Sequence, residues 1–242
     1  MAVELENGET EGMMPLAADE TFRFACHPRL PCFTECCRML ELALHPYDFV
    51  MLRRATGLDS PELFERFVLE EDDPRFPLPR HYLAMIDDDR LSCPFVSAKG
   101  CRIYPFRPAA CRSYPLGRAA LFHGEAMEER FVLVREGHCR GFEDGPSHRP
   151  ASYLAEQGLT VINRCHDAVA RLLQRPEMGG FMASDEQKRL YVLALCQTDL
   201  FRARLQNGDF ADFTGKAPIP VSDEELLPRV AVWLGERFFP AA

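Results

Sequence analysis

The second half of the chain is patterned for helices. Leu154, Val161, Cys165, Val169 and Leu172 recur at helical spacing, and Leu190, Leu193, Cys196 and Leu200 repeat the pattern after Ser184. A last stripe carries Leu227, Val230, Leu234 and Phe238. Two signals compete for its start. Ser222 and Glu225 have capping-box spacing, but Pro228 would then fall inside the helix at a cost of about 3 kcal/mol. A break at Leu227, with Pro228 opening the long part, is therefore expected. In the first half, Pro46 predicts a helix running to about Gly57. Ser60-Pro61-Glu62 reads as the cap, first residue and first-turn acid of another helix, with Leu63, Phe64 and Phe67 inward. That helix ends by the EEDDP run. Strand signals are fewer. LAMIDDDRLSCPF suggests a hairpin turning at residues 87–89, and residues 131–135 read as a strand pairing with the stretch around 120–122. Residues 98–118, punctuated by Gly100, Pro105, Pro108 and Pro115, hold at most short helical turns. There is no internal repeat.

Apolar residues make up 47% of the 242 and charged residues 27%, which supports a real core and argues against disorder or a disulfide-only scaffold. No apolar run approaches the roughly 18 residues that span a bilayer, so no membrane association is expected. Residues 1–20 carry six acids and no Lys or Arg, and lack the basic head and apolar stretch of a secretory signal. They read as an acidic flexible tail, and the protein as cytoplasmic. The tail supplies −6 of the net charge of −9. The remainder is near neutral, which argues against nucleic-acid binding through bulk basicity.

Cysteine changes the picture. There are ten, and eight lie from Cys26 to Cys139: Cys26, Cys32, Cys36, Cys37, Cys93, Cys101, Cys111 and Cys139. In a reducing compartment such a cluster reads as metal-binding or redox chemistry rather than disulfides. No C-x-x-C occurs, which removes the zinc ribbon and the thioredoxin motif, and Met39 stands where a radical-SAM triplet would need its third cysteine. Eight thiols allow two four-thiolate sites, or one site plus spare thiols. Neighbouring side chains diverge on strand or helix, so Cys36 and Cys37 serve two sites or one of them is spare. Cys165 and Cys196 sit on apolar stripes and read as core. His27 and His138 each adjoin a cluster cysteine and are alternative ligands. Residues 90–124 contain six bases and no acid. Arg107 or Arg112 is expected to donate to sulfurs around a metal; the rivals are an anion or RNA contact and a solvated basic face. Tyr104 and Tyr114 are read as packing around the cluster in preference to functional phenols. No phosphate loop, HExxH motif or nucleophile elbow is present.

FACHPRLPCFTECC, CPF at 93–95, CRIYPFRPAACRSYP at 101–115 and CRG at 139–141 together resemble the YkgJ-type cysteine-cluster family over roughly residues 22–142. Its specific part is C-x2-Y-x2-RP-x2-CR-x-Y-P, here Cys101, Tyr104, Arg107, Pro108, Cys111, Arg112, Tyr114 and Pro115. The opening, C-x5-C-x3-CC, is wider than the family's usual one. The resemblance implies chelation of zinc or iron, an Fe–S cluster included, by the eight cysteines. One relative, the flagellin lysine N-methylase, contains a similar cluster. The expected fold is α+β and mostly helical. A loop-rich, metal-organised cysteine module with short β-hairpins occupies 21–148, and C-terminal helices at 149–242 pack on it. The leading functional expectation is a metal-binding protein. The alternatives are an Fe–S-dependent enzyme of redox or group-transfer type, such as a protein lysine methylase-like activity, and a zinc-structured module that binds a protein partner.

Overall fold

A computed structural model describes residues 3–4, 10–215 and 217–240. It is α+β, combining helices with small antiparallel sheets. Two compact units divide the chain, each discontinuous in sequence: 1–41 with 85–160, and 42–84 with 161–242. The grouping cuts across the sequence-based boundaries, because residues 42–84 join the C-terminal helices rather than the cysteines.

In the first unit, Leu116–His123 and Ala126–Arg135 form a hairpin in which Leu116 lies opposite Leu133 and His123 opposite Ala126. Gly124, at φ +63°, takes the turn in a region that side-chain-bearing residues avoid. A strand at 131–135 is as expected, but its hairpin partner is not: residues 131–133 lie opposite 116–118, and 120–122 lie opposite 127–129 in a longer hairpin. Its other edge pairs with Thr10–Leu16, Gly12 opposite Arg135 and Leu16 opposite Phe131. This corrects the reading of residues 1–20 as an acidic tail throughout. Gly12, Met14 and Leu16 alternate with the exposed Met13 and Pro15, a strand's period of two. Residues 1–2 and 5–9 of the expected tail lie outside the described residues.

A second ladder pairs Phe22–Arg23 with Ser147–His148. Beyond it Phe24 N–H donates to Pro146 O (3.2 Å) and Ala25 N–H to Gly141 O (2.8 Å). Phe24 is buried among the edges of Tyr114, Phe142 and Tyr153. Tyr153, on the helix Pro150–Glu156, donates from its hydroxyl to Tyr114 O (2.7 Å).

The second unit is mainly helical: Pro46–Thr56, Ser60–Phe67, Thr160–Leu173 (which starts on the last residue of the first unit), Asp185–Tyr191, Thr198–Gln206, Ala211–Thr214 and Asp223–Phe238. Leu52, Leu63, Leu195, Phe201, Leu226, Leu227 and Leu234 form its centre. The first helix starts at Pro46 as expected, and Gly57 closes it in the left-handed region. The next is capped by Asp59, one residue before the expected cap. Ser60 is instead its first residue, and its amide and hydroxyl both donate to the Asp199 carboxylate. Val68–Glu71 and Arg80–Leu83 form a hairpin that the acidic run concealed. Residues 86–92 close as a turn around the Asp88 carboxylate, without paired strands.

The last helix corrects a further expectation. It runs unbroken from Asp223 with Pro228 inside it. A proline there cannot bond the carbonyl four residues earlier, Glu224 O. The buried Cys165 thiol donates weakly to that oxygen (3.8 Å), and Leu226, Leu227 and Val230 are fully buried around the proline. Packing outweighs the lost backbone bond. No described helix is long and apolar enough to cross a membrane.

His81 is buried on its strand between the rings of Phe49 and Phe64, its Nε2 3.0 Å from the Glu70 carboxylate directly across the ladder. Burial depresses its pKa below the ordinary 6.5, against the opposing pull of Glu70. The folded state therefore binds this proton less readily than the unfolded chain. Its contribution is full above pH 6.5 and is lost as pH falls from there through the folded value. We expect urea midpoints of the wild type to fall more steeply than those of His81→Gln between pH 7.5 and 5.5. Parallel curves would show that His81 carries no such linkage.

Candidate metal centre

All eight cysteines from Cys26 to Cys139 fall in the first unit, and none of the ten in the chain is in a disulfide. Three backbone arrangements deliver them. The ladder of 22–25 against 141–148 sets Cys26 beside the segment that carries Cys139. Gly141 and Gly145 permit this approach. A Cβ on Gly145 would lie 2.4 Å from Phe24 C, and one on Gly141 2.4 Å from the Phe24 ring. Consecutive turns then coil residues 27–37, through Leu30 N–H to His27 O, Phe33 N–H to Leu30 O, Glu35 N–H to Cys32 O and Cys37 N–H to Thr34 O. Finally, residues 37–39 lie against 91–93: Cys93 N–H donates to Cys37 O (2.9 Å), Met39 N–H to Leu91 O (3.0 Å) and the Arg38 guanidinium to Ser92 Oγ (2.7 Å). A two-residue hairpin places Cys101 opposite Val96.

Two groups of thiols result. Cys26 lies within electrostatic reach of Cys32, Cys36 and Cys139, and Cys139 within reach of Cys32 and Cys36. Cys93 faces Cys101. Cys37 adjoins both groups, its thiol against that of Cys36 and its carbonyl bonded by Cys93. Cys111 stands half-buried on the short helix Ala109–Ser113.

The thiols oppose one another's ionisation. Burial, followed by Cys36, Cys32 and Cys139, pushes Cys26 up to about 11. Cys36 is held far above the ordinary thiol range, first by Cys37 and then by burial. Burial also raises Cys93 and Cys139. Donors favouring the thiolates are nevertheless in place. The amides of Phe95 and Val96 address Cys93, that of Gly141 addresses Cys139, and Arg140 N–H donates to Cys32 Sγ (3.2 Å). Amides aimed at sulfur stabilise its charged form, and a cation among crowded thiols removes their mutual repulsion. The donor set therefore fits a thiophilic metal. Among the described residues no three Cys, His, Asp or Glu side chains stand close enough together to hold a metal ion. Ligation would require the sulfurs to close in.

Arg107 is buried and acts on Cys26 through its charge. Its guanidinium donates to Tyr104 O (2.8 Å) and Gln157 Oε1 (2.8 Å) and lies 3.9 Å from the Tyr104 ring centre. Arg112 donates to the carbonyls of Arg107 (3.1 Å), Gln157 (3.2 Å) and Pro105, tying the loop together. His27 Nδ1 accepts from Arg29 N–H within its own turn (3.3 Å), and His138 Nε2 lies 3.8 Å from a Glu136 carboxylate oxygen. Sequence reasoning missed Glu136, which lies near Cys36 and Tyr114. It also missed Gly141 and Gly145, whose spacing just after Cys139 was the available signal.

A family model described as "CxxCxxCC: Putative zinc- or iron-chelating domain" matches residues 25–140, just under half of the chain. No curated protein and no solved structure matches it.

Proposed function

We propose, from the premise that residues 25–140 belong to the zinc- or iron-chelating cysteine family, that this protein holds two metal ions through two thiol groups joined at Cys36–Cys37. Cys26, Cys32, Cys36 and Cys139 hold the first. Cys37, Cys93 and Cys101 hold the second, with Cys111 as its fourth donor. The observation that carries the reading is that Cys26 and Cys139 lie within electrostatic reach of each other and each within reach of Cys32 and Cys36. When bound, zinc would crosslink the loops, and iron would add redox capacity. The chain's own part is to hold the sulfurs, supply amide donors to them and keep the Arg107 charge beside Cys26.

The test is metal and acid-labile sulfide analysis of protein purified without oxygen. Two equivalents per chain are expected. Cys139→Ser should lose one, Cys101→Ser the other, and the double variant both. Either single variant losing both would refute the partition. Metal-free protein with all thiols reactive would refute the function.

A further inference from the structure

Tyr114 follows the short helix that carries Cys111, and its ring packs edge-on against Phe24 at 5.9 Å between centroids. Its carbonyl accepts from Tyr153, which fixes the main chain there. Its hydroxyl oxygen is buried and meets no acceptor within hydrogen-bond limits. A buried hydroxyl without a partner is costly, on the order of 1–3 kcal/mol, and calls for an explanation. Two groups face it, the Cys139 thiol and the Glu136 carboxylate. They differ in need. The Glu136 side chain is 37% exposed, so water and the neighbouring His138 serve it. Cys139 is half-buried, and the Gly141 amide is already turned on its sulfur.

We infer that Tyr114 is a positioning residue of the first metal centre, its hydroxyl donating to the Cys139 sulfur once that sulfur is a metal-bound thiolate. The inference rests on the proposed metal-binding function. The phenol and the Gly141 amide then offset the thiolate charge from two directions, and the otherwise unpartnered hydroxyl gains its acceptor. Donors of this kind orient a ligand and tune its bond to the metal. Removing one commonly changes affinity about 10–100-fold.

The experiment loads full-length protein with cobalt(II), whose thiolate-to-metal charge-transfer band reports on the sulfurs. Tyr114→Phe keeps the ring contact with Phe24 and should bind the same number of equivalents. Its band should shift, and it should release cobalt to EDTA about tenfold faster or more. Glu136→Gln removes a charge near Cys36, and in that background Tyr114→Phe should still shift the band and speed release to the same extent. An unchanged band and release rate in Tyr114→Phe would overturn the assignment. So would loss of the Tyr114→Phe effect in the Glu136→Gln background, which would make the phenol a partner of the carboxylate. Should Tyr114→Phe fail to fold, 3-fluorotyrosine placed at position 114 retains ring and hydroxyl as a stronger donor. It should move the band the opposite way and slow release, and no movement would again overturn the assignment. A wild-type protein that binds no cobalt would instead remove the metal-binding function, and this role of Tyr114 with it.

Discussion

Stripping the metal from the full-length protein should release the backbone of residues 26–41 and 85–111 while the helix Asp223–Phe238 stays folded. The first two segments contain turns, two-residue strands and helices of three to five residues. Phe95, Ile103, Pro108 and Ala109 are their buried apolar side chains, whereas Asp223–Phe238 buries eight residues. Structural metal sites in small peptides contribute roughly 10–16 kcal/mol of apparent binding energy at neutral pH. That exceeds what a few buried side chains at about 1.5–3 kcal/mol each can replace. Amide hydrogen exchange before and after chelation is the direct measurement. Protection in 26–41 and 85–111 should fall by several orders of magnitude, with protection in 223–238 unchanged. Equal protection in the stripped protein would mean that the loops stand without metal.

Gly145→Ala should be nearly as damaging, although it removes no ligand. The added Cβ would lie 2.4 Å from Phe24 C, 2.6 Å from Ala25 N and 2.7 Å from Phe24 O. These are backbone atoms, so no rotamer change relieves the overlap. The segment at 22–25 must move, and Cys26 moves with it away from Cys139. Overpacking of this kind typically costs about 1–3 kcal/mol and can cost more; with backbone on both sides we expect at least 3 kcal/mol from the urea midpoint and loss of one metal equivalent. Gly57→Ala is the control. Its Cβ would meet nothing within 4 Å, and only its φ of +72° is unfavourable, so about 1 kcal/mol is expected. Equal effects for the two variants would show that the approach at Gly145 is not tight.

The sequence carried more of the elements than of their arrangement. The helix from Pro46 was legible because proline and glycine mark its two ends. The stripe from Leu154 to Leu172 was read as continuous, but Gly158, at φ +70°, separates Pro150–Glu156 from Thr160–Leu173 and turns Val161 outward. The start of the helix after Ser184 was legible, but the buried face was not. A π-type turn at Val192–Cys196 departs from the ordinary helical period, so burial falls on Tyr191, Ala194, Leu195 and Phe201 rather than on Leu190, Leu193 and Leu200. Cys196 is buried on either register. Pro228 misled because the packing and the Cys165 thiol that compensate it lie far away in sequence. At the candidate site, residue types and motif singled out the eight thiols as candidate ligands. The approach of Cys26 to the segment that carries Cys139 was hidden, since it depends on the ladder that joins residues 22–25 to 141–148 across more than a hundred positions.

That ladder has a consequence for how the protein is made. Cys26, Cys32, Cys36 and Cys37 leave the ribosome about a hundred residues ahead of Cys139, a delay of roughly 5–20 s at translation rates of about 5–20 residues per second. During that interval residues 42–84 emerge between the cysteines, and they belong to the other unit. The early thiols are therefore translated before the strand that gathers them, and they must stay reduced and unclaimed by stray ions until it arrives. Faithful loading is a task for the finished polypeptide, and the redox and metal supply around the nascent chain should govern how much metal-loaded protein a cell yields.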